Sequence, residues 1–120
     1  ARVLKPGGTI ILSAPVCSLT HYAPYFYQTG YSRYFYEYWL GKLGFTIEEL
    51  APNGSYFTWL AQEIRRLPEI SKQCEGHHGI RRKNRVSMVN IIDWLQALES
   101  KSENPADLLA FGMHVCAVKN

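Results

Sequence analysis

Lys5-Pro6-Gly7-Gly8-Thr9-Ile10-Ile11-Leu12-Ser13-Ala14-Pro15 runs from a turn straight into a strand. Pro6 fixes φ, and the two glycines accept the positive φ that other residues resist, so the backbone reverses here. The next six residues, Thr9 to Ala14, are nearly all apolar and rich in β-branched side chains. That is the pattern of a short strand covered on both faces in a mostly parallel sheet. Pro15 ends it. On the other side of the turn, Ala1-Arg2-Val3-Leu4 reads as the end of a helix whose beginning lies outside the sequence, so the chain is read as a truncated protein.

Downstream lies the densest feature of the chain. Residues 22–39 hold ten aromatics: Tyr22, Tyr25, Phe26, Tyr27, Tyr31, Tyr34, Phe35, Tyr36, Tyr38 and Trp39. The second half of this run is helical in pattern. Ser32 is the N-cap, Phe35, Trp39 and Leu43 share one face with Tyr38 beside them, Lys42 sits in the last turn, and Gly44 stands at C′. Phe45-Thr46-Ile47-Glu48-Glu49-Leu50 then alternates as a half-exposed strand should.

Asn53-Gly54 reads as a turn. Phe57, Leu60, Ala61 and Ile64 recur at spacings of three and four, predicting an amphipathic helix that Pro68 closes. Residues 69–86 are polar and basic and read as loop or frayed helix, and Met88, Ile91, Ile92, Leu95 and Leu98 mark a further helix. A linker, Lys101 to Pro105, leads to Phe111-Gly112-Met113-His114-Val115-Cys116-Ala117-Val118, a short apolar run that fits a last, central strand. No internal repeat or low-complexity tract is present.

At 120 residues, 47% hydrophobic and 13% aromatic, the composition is that of one globular domain rather than a disordered chain. No run approaches the roughly 18 apolar residues of a membrane helix, and no signal-peptide pattern opens the chain, so the expectation is a cytoplasmic protein with no membrane partner. The net charge of +3 is concentrated. Lys72, Arg81, Arg82, Lys83 and Arg85 face Glu75 alone within residues 72–85, a local +4, and the remainder sums to −1. The three cysteines, Cys17, Cys74 and Cys116, lack CxxC spacing and read as reduced thiols.

Turn, strand, helix, strand, helices and a final strand is an α/β order. Arg2-Val3-Leu4-Lys5-Pro6-Gly7-Gly8 followed by Thr9-Ile10-Ile11-Leu12 resembles the R-x-L-K-P-G-G turn and fifth strand of class I (Rossmann-like) S-adenosylmethionine-dependent methyltransferases, type 11-like. Leu40-Gly41-Lys42-Leu43-Gly44-Phe45 resembles their L-x-x-x-G-F junction into strand six, and Gly112 to Lys119 resembles strand seven. The resemblance covers residues 1–120 as the C-terminal part of a single methyltransferase domain. It implies strands five, six and seven with flanking helices, the last strand antiparallel between the other two.

It also implies S-adenosylmethionine as cofactor, bound mainly by an N-terminal half that these residues do not contain. The glycine-rich loop after strand one, the acidic end of strand two and the strand-four loop are all missing, so the cofactor-binding residues are unknown. Gly7-Gly8 precedes a strand and opens no helix, which excludes a phosphate loop.

In open α/β sheets ligands sit outside the carboxyl ends of the strands, which turns the loop after Ala14 toward a methyl acceptor. His21 is the catalytic candidate, since it alone in that loop titrates near neutrality and can take a proton. Ser13, Ser18, Tyr25, Tyr31, Asn53 and Tyr56 are the acceptor-binding candidates. Seven of the eight tyrosines lie in 22–38, which suits a small-molecule or sugar-like acceptor and also suits plain core and lid packing.

Cys74, His77 and His78 have metal-type side chains but too few paired ligands for structural zinc, so no metal is expected. Nucleic acid is disfavoured because only Arg33 sits among the ten aromatics while the basic run lies far from them. The alternative to an enzyme is a non-catalytic, aromatic-rich binding or interaction module.

Overall fold

The computed structural model describes residues 2–21, 23–75 and 80–120, in two compact units: residues 1–54 with 109–120, and residues 55–108. The first unit is a sheet with one helix. Strand β1 (Thr9–Pro15) is followed by helix α1 (Arg33–Lys42), strand β2 (Phe45–Asn53) and, at the end of the chain, strand β3 (Gly112–Lys119). The strand order is β1-β3-β2, and β3 runs antiparallel to both neighbours. The apolar closing run is thus the central strand, as its composition predicts.

The turn before β1 forms as read. Gly7 has φ +77° and the Gly8 amide donates to the Lys5 carbonyl at 2.9 Å. The Gly7 amide also donates to the Lys119 carbonyl, and the Lys119 amide to the Gly8 carbonyl, so the turn is tied to the end of β3. Arg2 and Val3 lie in a turn.

One face of the sheet carries the core. Tyr36 and Leu40, one helical turn apart on α1, bury against Phe45, Met113, Val115 and Ala117, with Ile10, Leu12, Ala14, Ile47 and Leu50 around them. Val115 retains 1% of its surface, as a central-strand residue under a helix should. Removing such side chains from water contributes about 1.5–3 kcal/mol each. The other face of β1 corrects the expectation of cover on both sides: Ile11 is 79% exposed. A continuous apolar run does not separate a doubly covered strand from one whose outer face is apolar and open.

The α1 helix also buries a different stripe from the one read. Phe35, Trp39 and Leu43 do share a face, but it flanks the buried Tyr36–Leu40 line and is exposed along one wall of an apolar groove with Ile10 and Leu12. Ser32 is the N-cap without a side-chain bond, so its place comes from extended backbone rather than from capping. Gly44 is the positive-φ residue after the helix, at +75°, and donates to the Gly41 carbonyl at 3.1 Å. Lys119 reaches from β3 to the Leu43 carbonyl, placing a cation on the negative end of α1.

Strand β2 is longer than its alternation suggests. Its register with β3 shifts between Ile47 and Glu49, leaving Glu48 as a bulge, so Ile47 and Leu50 both face the core although three residues apart. The strand runs on through Pro52 to Asn53, which pairs with Gly112. Asn53 therefore ends a strand instead of making a turn; the positive φ that a turn needs falls on Gly54 alone.

The second unit is a helix pair, α2 (Tyr56–Glu75) and α3 (Arg82–Glu99), with a 3₁₀ turn at Pro105–Asp107 inside the stretch read as linker and strand entry. Pro68 lies inside α2 and does not close it. A proline costs a helix interior about 3 kcal/mol, yet α2 runs on through Pro68, which itself faces Met88, Val89 and Ile92 of α3 across a shared cavity. Residues 69–75 and 82–86 are accordingly helical rather than loop.

Ser55 starts α2. Its Oγ accepts from the Thr58 amide at 3.3 Å while Thr58 Oγ1 accepts from the Ser55 amide at 2.7 Å, a reciprocal cap. The same hydroxyl donates to the Glu99 carboxylate at the far end of α3, which satisfies a 98% buried side chain and fixes where the two helices meet.

Candidate functional site

The carboxyl end of β1 meets the start of β3 and the end of β2 in one row. Ser13 pairs with His114, and His114 with Ala51, all three on the open face because their neighbours Leu12, Val115 and Leu50 point to the core. Strand alternation alone puts them there. Ser13 Oγ and His114 Nδ1 share a hydrogen bond of 3.0 Å. The imidazole is exposed, and its Nε2 has no partner among the described residues. A serine hydroxyl that orients one ring nitrogen leaves the other able to take or give a proton.

The loop leaving β1 is pinched at its neck. The Val16 amide donates to the Phe111 carbonyl and the Tyr31 amide to the Pro15 carbonyl, both at 2.9 Å, so residues 16–31 leave and return at one place. Gly30 permits this approach: a Cβ there would lie 2.2 Å from the Pro15 carbonyl oxygen. Inside the loop Ser18 Oγ donates to the Thr29 carbonyl at 2.9 Å. His21 Nδ1 donates to the Leu19 carbonyl at 2.7 Å, and its ring lies 5.1 Å from that of Phe26.

The candidates are thus divided. Ser13 stands in the row at the sheet end, and Asn53 ends β2, on the far side of β3 from Ser13, with its carbonyl accepting from the Phe111 amide at 2.8 Å. Tyr31 sits at the loop neck, stacked on Phe35 at 4.1 Å between ring centres. Ser18 Oγ and His21 Nδ1 bond the loop's own backbone, and Tyr25 is 74% exposed on it. Tyr56 opens α2 in the helical unit.

Most of the aromatic run is not core. Tyr36 is buried, Tyr31 and Phe26 are half-buried, and Tyr25, Tyr27, Tyr34, Phe35, Tyr38 and Trp39 are exposed, while Tyr22 lies outside the described residues. The Tyr36 hydroxyl is buried with no hydrogen-bond partner among the described residues. Burial first, and Tyr31 second, push its pKa above the ordinary tyrosine value.

Sequence reading missed His114. Its signal was available: in Met113-His114-Val115 the imidazole alternates with two apolar side chains and must take the opposite face from them. What the sequence lacks is its partner, since Ser13 lies 101 residues away.

Among the described residues no group of three His, Cys, Asp or Glu is placed to hold a metal ion; His77 and His78 of the proposed grouping lie outside them. No helix among them is long and apolar enough to cross a membrane. The positive-φ glycines are Gly7 before β1, Gly44 after α1 and Gly54 between β2 and α2. Compared with family models, curated proteins and solved structures, the chain finds no match.

Proposed function

We propose that this chain is the acceptor side of a class I S-adenosylmethionine-dependent methyltransferase, acting on a small-molecule or sugar-like acceptor. The observation that carries the reading is the sheet order: the last strand lies antiparallel between the two that precede it, as the R-V-L-K-P-G-G and L-G-F resemblances imply. The cofactor supplies an electrophilic methyl group, and residues outside this chain hold it.

What the chain's own residues contribute is position and a proton acceptor. The row at the carboxyl end of β1 is where an α/β sheet receives a ligand. There His114 takes the proton of an acceptor hydroxyl through Nε2, while Ser13 holds the ring by Nδ1. His114 takes this role because the register sets it beside Ser13 at the sheet end, and His21, exposed on the loop with Nδ1 on the Leu19 carbonyl, is the alternative base. The pinched loop 16–31, with Tyr25 and Tyr27 exposed, forms the wall beside it.

Calorimetry with S-adenosylmethionine on this chain, and on the chain extended upstream through its reading frame, tests the proposal. Binding by the extended chain only is the expected result. Binding by neither overturns it and favours the second reading, an aromatic binding module, for which the specific observation is the exposure of Tyr25, Tyr27 and Tyr34 at 74%, 86% and 72%.

A further inference from the structure

The helical unit carries a groove of its own. Early α2 residues line one cavity with late α3 residues, Phe57 and Ala61 with Leu95 and Glu99, and later α2 residues line another with early α3 residues, so the two helices are antiparallel. The second cavity, about 330 Å³, has an apolar floor of Pro68, Met88, Val89 and Ile92 and two cations, Arg65 and Arg85. Both arginines are exposed, and neither side chain has an ion pair or hydrogen bond among the described residues. Val89 is 55% exposed on that floor.

The placement of the charges is specific. Arg65 also borders the cavity at Leu95 and Gln96, so it marks the Ile92 end of the groove, and Arg85 marks the other. Seven residues of α3 separate those ends, about 10 Å along a helix axis. Two residues seven apart on a partner helix span the same distance and face the same way, with the residues three and four along lying between them. An apolar trough between two antiparallel helices is also the ordinary seat of a third helix.

We propose that this groove docks an acidic amphipathic helix of a partner protein, with carboxylates at i and i+7 meeting Arg65 and Arg85 and apolar side chains at i+3 and i+4 covering Val89, Met88 and Ile92. A lone carboxylate-headed amphiphile satisfies one arginine and leaves the other unpaired. A lipid surface lies flat and does not enter a trough. The inference does not depend on the methyl-transfer reading.

The test uses the whole chain and a labelled alanine-based helical peptide with Glu at i and i+7 and Leu at i+3 and i+4, followed by fluorescence anisotropy. Expected is saturable binding that weakens about tenfold in an Arg65→Glu, Arg85→Glu double variant, whose changes lie at exposed, unpaired positions. A peptide with Lys at i and i+7 is expected to bind the double variant about as well as the Glu peptide binds the parent. Equal binding of both peptides to the parent, an unchanged affinity in the double variant, or capture by phosphatidylglycerol vesicles in place of the peptide would each overturn the proposal.

Discussion

The two faces of the same three strands are built from one alternation and do opposite things. On the inner face Ile10, Leu12, Val115, Ala117, Ile47 and Leu50 close against α1, and the titratable groups packed with them are the Tyr36 and Tyr31 hydroxyls. On the outer face Ile11, Ser13, His114, Cys116 and Glu48 are open or half-open, and they hold polar contacts across the strands: Ser13 with His114, and Cys116 Sγ with Glu48 Oε2 at 3.9 Å. Buried apolar side chains and exposed polar ones are separated by a single step along each strand.

The sharpest break would come from Leu40→Ala, expected to cost about 3 kcal/mol in urea denaturation because it removes a buried side chain from the core under α1. Ile11→Ala on the outer face should cost under about 0.5 kcal/mol. Equal losses would show the outer face to be covered in solution. Next, His114→Gln in the upstream-extended chain is expected to lower the rate of methyl transfer about 100-fold with stability unchanged to within about 0.5 kcal/mol. A rate drop for His21→Gln in its place would return the base to the loop.

Gly30→Ala should destabilise by about 2 kcal/mol, since its Cβ has no room at the Pro15 carbonyl, and thermal melting reads it. Ser55→Ala, which removes both the cap of α2 and its bond to Glu99, should cost about 1–2 kcal/mol in the same assay.

Smallest is Tyr36→Phe, expected to be neutral or stabilising by up to about 1 kcal/mol, because the deleted hydroxyl is buried without a partner. Its pH signature has a definite sign. A raised folded-state pKa means that the Tyr36 contribution is whole below the unfolded value of about 10 and is lost as pH rises from there through the folded value. Parent stability should therefore fall above pH 10 more steeply than that of Tyr36→Phe; parallel curves would place the hydroxyl in water.

Local signals were legible wherever chemistry is local. The glycine turn, the helix ends at Ser32 and Gly44, and the apolar run of β3 were readable because each depends on a backbone preference or a short periodicity. Pairings were not. The burial of Tyr36 in preference to Phe35, the continuation of α2 past Pro68 and the Ser13–His114 contact all depend on what another segment brings. An amphipathic pattern shows that a helix has a buried side, but in a run with aromatics on every side it does not choose which. The place of Ser13 at the end of β1 was readable from the sequence, and its pairing with His114 required the register.

The Glu48 bulge has a consequence for how this strand tolerates change in length. Because Ile47 already pairs with Ala117 and Glu49 with Cys116, either member of Glu48-Glu49 can be deleted, giving the same chain, while every other pairing stays in place. A chain shortened there keeps Leu50 on Val115 and Asn53 on Gly112, whereas a deletion one step beyond Glu49 throws each following side chain onto the wrong face. The bulge is a slack link, and insertions or losses of one residue fall there at least harm.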